Sequence, residues 1–403
     1  MNVVDRFLNY VKIDTQSSAA SSSVPSTLKQ LDLARFLEKE MQEMGIQEVK
    51  LDHSGIVYGC LPSNTDEVLP TIGFVAHMDT SPDMSGENVN PRIIEDYDGS
   101  PIVLNEALNI VMDPEEFPSL RENIHQDLIV TDGTTLLGGD DKAGIAEIMQ
   151  MADYLLAHPE IKHGTIKLAF TPDEEVGRGT ENFDVNYFGC DFAYTVDGGA
   201  IDCIDYENFN AASCKVSVQG KGIHPGSAKY KMINSLLAAM EFQSLLPVFD
   251  NPAYTDGYEG FNHLNNMSGN VDFTQMDYII RNHDEHLLEK QKQDFINAQD
   301  FMNKKYGYPI ISLDIQDTYA NMRQHIEKDM RVIEKAKAAM TEIGLTPRSS
   351  AIRGGTDGAM LTYEGLPCPN LGTGGYNAHG KYEYVSINAM KQCVELLIEI
   401  AKA

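Results

Sequence analysis

Residues 72–83 read IGFVAHMDTSPD: an apolar run stops on His77, and Asp79 follows two places later. Other places share this character, each just past an apolar run or inside a glycine-rich loop. They are Asp140 in GGDDKAG, Glu174 and Glu175 in TPDEEVGRG, Asp197 in VDGG and His379 in NAHGKYE. Taken singly, each has an ordinary explanation: a surface histidine, helix N-terminal acids worth about 0.3–1 kcal/mol each, an Asp-Gly turn. Taken together they imply more. Carboxylates gathered at one end of a sheet repel one another, and burying them unpaired is costly. Divalent cations relieve that repulsion. Imidazole and carboxylate without thiolate suit zinc, with manganese or cobalt as substitutes. The set is too small for two closed tetrahedral sites, but it suffices for two open sites sharing a bridging carboxylate, the arrangement that hydrolytic two-metal chemistry needs.

Such residues need elements to hold them. GIVYGCLP, LPTIGFVAHMDT, GTIKLAFTPDEE and DFAYTVDGG are apolar runs, most of them followed by acidic or metal-capable residues. Continuous apolar runs read as strands buried on both faces with helices between, hence an α/β domain with a mixed, mostly parallel sheet. Ligands of such sheets lie beyond the carboxyl ends of the strands, where these polar residues fall. Ala34, Leu37, Met41 and Met44 recur at helical spacing with Gly45 as a stop, and Ile387, Met390, Val394 and Leu397 predict a terminal helix. SSAASSSVPS (17–26) reads as a polar loop. Residues 87–120, with ENVNPRIIEDYDGSPIVLN and IVMDPEEFPSL, read as a long ornate loop region.

The pattern changes near residue 208. Ala212, Cys214, Val216 and Val218 alternate with Ser213, Lys215, Ser217 and Gln219, a strand with one wet face. A helix follows with Ile233, Leu236, Leu237 and Met240 on its apolar stripe. QMDYIIRN is a second alternating strand, 285–306 a charged helix and YPIISLDIQD a third strand. This β-α-β-α-β block predicts a smaller α+β domain at 208–320, inserted as a lid into a domain built from 1–207 and 321–403.

The 403 residues carry a formal net charge of −29, with 42% hydrophobic and 23% charged residues. Nucleic acid and anionic membrane are excluded as partners by repulsion. The first residues, MNVVDRFLNYVKID, include acids and no sustained apolar core, and no run reaches the roughly 20 apolar residues of a membrane helix. The expectation is a cytoplasmic protein whose six cysteines are free, buried thiols.

The ordered set HMD, GGDDKAG, TPDEEVGRG, TVDGG, GKGIHPGSAK, RGGTDGA and NAHGKYE resembles the M20 metallopeptidase family. PSTLKQLDLARFLEKEMQEMG, GYEGFNHL and YIIRNHD are similar to the branch of that family that releases the N-terminal residue from tripeptides. Neighbouring branches are dipeptidases, carboxypeptidases and aminoacylases. The resemblance implies a zinc-peptidase-like catalytic domain with two zinc ions per subunit and a homodimer formed through the inserted domain. By position, it implies that His77 and Asp197 bind one zinc, that Glu175 and His379 bind the other, and that Asp140 bridges them. Glu174 would then be the general base, and Asp79 would orient the His77 ring by a hydrogen bond. It points to His224 as a donor to the tetrahedral oxyanion. An enzyme limited to short peptides must also sense the substrate carboxylate, which suits an arginine fork; Arg281 and Arg353 are the candidates, with Asn377 as a further polar contact.

Overall fold

The computed structural model describes residues 1–402. The chain divides into two compact units. The larger comprises Met1–Tyr206, Gln324–Ser350 and residues from Thr356 onward; the smaller comprises Glu207–Arg323 and Ala351–Gly355. No helix among the described residues is long and apolar enough to cross a membrane.

The larger unit is built on a seven-stranded sheet. In spatial order its strands are Gln47–Leu51, Val57–Leu61, Ile166–Thr171, Ile72–His77, Phe192–Gly198, Asn370–Gly372 and Ile204–Asp205. The four from Ile166–Thr171 to Asn370–Gly372 run parallel, and antiparallel strands close both edges. Ile72–His77 is buried along its whole length, which is why its sequence shows no alternation. Gly73 is required within it: a Cβ there would lie 2.5 Å from the Phe188 ring and 2.9 Å from Ala193 Cβ. The helix Gly139–Ala157 packs on Ile72–His77 and Phe192–Gly198 and, elsewhere on its surface, on the helices Val3–Tyr10 and Ile387–Ala401. It is buried on nearly every side and therefore shows no amphipathic stripe.

The helices expected from spacing are Gln30–Met44, ending on Gly45 at φ 85°, and Ile387–Ala401. The expected loop region 87–120 is different. It holds the strands Arg92–Ile94, Ile102–Asn105 and Ile110–Met112. Arg92–Ile94 joins a four-stranded sheet with Leu128–Val130, Tyr384–Ser386 and Gly375–Tyr376. Tyr97, Ile102, Leu104, Met112, Leu120 and Tyr384 form the apolar core of this layer. Strands of three or four residues are too short to display a period, so the region read as loop.

The smaller unit is a four-stranded antiparallel sheet in the order Phe261–Gly269, Phe273–Asn282, Asn210–Gln219, Ile311–Tyr319. The helices Ser235–Leu245 and Glu285–Tyr306 pack on it over Cys214, Val216, Val218, Phe242, Met276 and Phe295. Three points differ from the sequence reading. Phe261–Gly269 was not anticipated; it is an edge strand whose NHLNN centre is polar, so it carried no alternating signal. The stripe proposed for the first helix is also wrong, since Leu237 and Met240 are 63% and 58% exposed while Ala238, Ala239 and Phe242 are buried. Ala238 and Ala239 let the helix sit closely on the sheet beside the buried Phe242, and Leu237 and Met240 face outward. The unit also takes in Ala351–Gly355, placed by sequence in the larger domain; Ala351–Ile352 pairs in parallel with Glu207–Asn208, two residues that leave no periodic trace.

Candidate metal centre

Acid and imidazole side chains meet beyond the carboxyl ends of the parallel strands. His77 is the last residue of Ile72–His77, and Asp197 lies at the end of Phe192–Gly198. Glu174 and Glu175 occupy a tight turn shortly after Ile166–Thr171. Asp140 opens the helix Gly139–Ala157 with non-helical dihedrals. His379 sits at φ 66° in the loop between Gly375–Tyr376 and Tyr384–Ser386.

Asp140 is central. Its Oδ1 is 2.8 Å from His77 Nε2 and its Oδ2 is 3.3 Å from His379 Nε2. His77 Nε2 is also 3.6 Å from Asp197 Oδ1, and His379 Nε2 is 2.9 Å from Glu175 Oε2. Glu175 Oε1 is buried without a hydrogen-bond partner among the described residues. Two overlapping groups have donor atoms within 4.8 Å of one another: His77–Asp141–Asp197 and His77–Asp140–Glu175. The neighbouring Asp141 has its oxygens committed to the main-chain N–H groups of His77 and Gly144, at 3.1 and 3.2 Å. Those of Asp140 face the histidines. The imidazole and carboxylate donors therefore fit two adjacent divalent cations sharing Asp140.

The charges are consistent with this fit. Burial pushes Asp197 up to about 6 and Glu175 up to about 7, although the histidines beside them oppose it. Glu174 is pushed well above the carboxylate range by burial, with Asp197, Asp357 and Glu175 adding to it against His77. Burial also acts on Asp140, but its hydrogen bonds to His379 and His77 outweigh that and hold it below the usual range. His379 is raised to about 11 by its bonds to Asp140 and Glu175. In this setting protons sit where cations would otherwise balance the acids.

Asp79 contacts more than the His77 ring. The His77 Nδ1 lies 3.0 Å from the Asp79 main-chain oxygen and 3.4 Å from its carboxylate. The carboxylate also accepts from the N–H groups of Glu174 and Glu175, at 2.9 and 3.2 Å. Asp79 thus fixes the turn that carries both glutamates, and its carbonyl is the nearer partner of the ring. Asn377, at φ 55°, donates from Nδ2 to Tyr382 O and shapes the His379 loop. His224, Arg281 and Arg353 belong to the smaller unit. There His224 Nδ1 accepts from Gly226 N–H at 3.2 Å. Arg281 lies over the Tyr319 ring and donates from Nη1 to Ala212 O and Ile280 O. Arg353 donates from both Nη groups to Gly257 O, Glu259 O and Thr255.

Other buried acids were passed over although they lie inside the motifs. Asp173, at φ 61°, accepts from Ser26 N, Ser26 Oγ and Gln30 Nε2. Asp357, pushed by burial up to about 7, accepts from Thr171 Oγ1 at 2.7 Å. Glu383 accepts from the N–H groups of Leu137, Gly138 and Asp140. Their one visible signal was an acid in a motif already noticed for another residue.

The chain is similar to known proteins along almost its whole length. Residues 138–403 match the model of peptidase family M20/M25/M40. A peptidase T of Caldanaerobacter subterraneus subsp. tengcongensis is 53% identical over 400 residues, covering 99% of this chain and 98% of that one. The crystal structure of aminopeptidase PepT from Bacillus cereus superposes with a TM-score of 0.77 at 24% identity, covering 99% and 97% of the two chains. A tripeptidase from Staphylococcus aureus gives 0.78 at 21% identity, covering 100% and 97%. The chain belongs to peptidase family M20/M25/M40.

Proposed function

We propose that the protein is a two-metal aminopeptidase that releases the N-terminal residue from tripeptides. The observation that carries this reading is Asp140, whose two oxygens face two different histidines at 2.8 and 3.3 Å. His77 and Asp197 would hold one cation and Glu175 and His379 the other, with Asp140 shared. Zinc suits these donors, with manganese or cobalt as substitutes. When bound, such a pair supplies Lewis acidity toward a carbonyl and lowers the pKa of water. The names of the similar proteins (peptidase T, aminopeptidase, tripeptidase) give the substrate class.

The chain's own residues supply the proton transfers and the grip on substrate. Glu174 is half-buried beside the cation ligands with its main chain fixed by Asp79, and its raised pKa suits a group that takes a proton from water and returns it to the departing amine. His224 accepts from Gly226 through Nδ1, which leaves the Nε2 proton free to donate to a tetrahedral oxyanion. Of the two arginines, Arg281 keeps Nε and Nη2 without hydrogen bonds among the described residues, whereas Arg353 commits both Nη groups to its own unit. Arg281 is therefore the better fork for the substrate carboxylate. A sheet edge of the smaller unit is the proposed surface by which two copies form a homodimer.

Substitution of Glu174 by Gln tests the chemistry. Tripeptide turnover is expected to fall by at least about 10²–10⁴-fold, the share of a general base, with both metals retained on elemental analysis. Full turnover in E174Q would remove Glu174 from the role. Hydrolysis of an N-acetylated tripeptide as fast as the free one would instead favour another branch of the family.

A further inference from the structure

We propose that Glu383 is a positioning residue that locks the Asp140 turn to the His379 loop, so that the two cation sites assemble as one unit. The proposal rests on the two-cation reading above and extends it to a residue that binds no cation.

The helix Gly139–Ala157 begins without a cap of its own: Gly138, at φ 83°, stands at the N-cap and offers no side chain. Asp140 and Asp141 both have non-helical dihedrals, so the helix alone does not fix the direction of the Asp140 carboxylate. The first N–H groups of a helix need acceptors, and its positive end favours an anion. The acceptor comes from a residue 243 positions from Asp140 in sequence. Glu383 is 2% exposed. Its Oε2 accepts from Leu137 N at 2.7 Å and Gly138 N at 2.8 Å, and its Oε1 accepts from Asp140 N at 3.0 Å. The approach demands glycine opposite, since a Cβ on Gly139 would lie 2.5 Å from Val385 Cγ2 and 3.1 Å from Glu383 Oε1.

Glu383 is equally part of the His379 loop. Its own N–H donates to Gly380 O at 3.2 Å, closing the loop just after the histidine. One rigid carboxylate therefore spans the turn that aims Asp140 and the loop that carries His379. A capping residue with no further duty would stabilise the helix and leave the cation sites alone. This one fixes two ligands relative to each other, so its loss should be felt in cation affinity.

The test is a zinc titration of metal-free wild type and Glu383→Gln in competition with a chromophoric chelator, alongside thermal melts of the metal-free forms. A glutamine side chain presents one oxygen and one NH₂ group, so an N–H of the turn is left facing another donor. The expected result is a folded variant whose weaker zinc site loses about 10–100-fold in affinity, the range for residues that orient metal ligands. Excess zinc should then restore most tripeptide turnover. Superimposable zinc titrations, with only the melting temperature lowered, would overturn the proposal and leave Glu383 a helix cap. Should E383Q fail to fold, Gly139→Ala probes the same contact from the opposite side: weakened zinc uptake supports the proposal and unchanged uptake overturns it. A wild type that binds no zinc would overturn the two-cation reading itself, a result distinct from matched titrations.

Discussion

Asp79 shows how much of the site depends on residues that touch no substrate. Its carboxylate holds the main chain of Glu174 and Glu175, and its carbonyl faces the His77 ring. Asp79→Ala is accordingly expected to reduce both metal retention and turnover by about 10–100-fold; elemental analysis beside tripeptide kinetics would show it, and a variant with full metal content and full activity would refute it. Glu147 makes a contrasting case. Its carboxyl is fully buried against the Cys393 thiol, with neither oxygen hydrogen-bonded among the described residues, and burial pushes its pKa well above the usual range. A group raised in this way favours the fold only while protonated, below its ordinary value, and that contribution is lost as pH rises. Glu147→Leu should therefore raise the melting temperature at pH 8 and change it less at pH 4. The reverse order would show that the carboxyl is stabilising when charged.

Helices and strands differ in how much of themselves they disclose. The strand ending in His77 was legible because burial on both faces leaves an unbroken apolar run that must stop where polar ligands begin. The alternating strands of the smaller unit were legible for the opposite reason, one wet face. Phe261–Gly269 and the short strands of 92–112 were not, because polar edge strands and three-residue segments carry no period. The helix Ser235–Leu245 was recognised, but with the wrong face inward. Its exposed Leu237 and Met240 and buried Phe242 give a direct check. Phe242→Ala should destabilise the protein by about 3–5 kcal/mol, and Leu237→Ser by no more than about 0.5 kcal/mol, in denaturant melts of the metal-free protein. Equal losses would mean that Leu237 is buried. Among the site residues, His77, Asp140, Glu175 and His379 announced themselves by standing where an apolar or glycine-rich stretch ended. Asp173, Asp357 and Glu383 did not, since an acid whose hydrogen-bond donors lie far away in sequence is indistinguishable locally from a surface charge.

At the scale of the whole molecule, a chain of net charge −29 gathers several acids into one cluster around two histidines. Without cations, burial leaves Asp197 near about 6 and Glu175, Asp357 and Glu383 near about 7. Each contributes to stability in full below its ordinary pKa of about 4, and the contribution drains away as pH rises through 6–7. His379, raised to about 11, stays charged throughout that window. The metal-free protein is therefore expected to lose thermal stability from pH 5 to pH 8. Zinc, which competes with those protons, should stabilise it by a margin that widens over the same interval. Melts with and without chelator would measure the margin, and one that stayed constant or narrowed would contradict the cluster's assignment. The central claim, two cations sharing Asp140, is tested most directly by anomalous diffraction at the zinc edge from crystals grown with zinc. The account predicts two peaks, one beside His77 and Asp197 and one beside Glu175 and His379, with Asp140 between them. A single peak, or zinc bound only elsewhere on the chain, would contradict it.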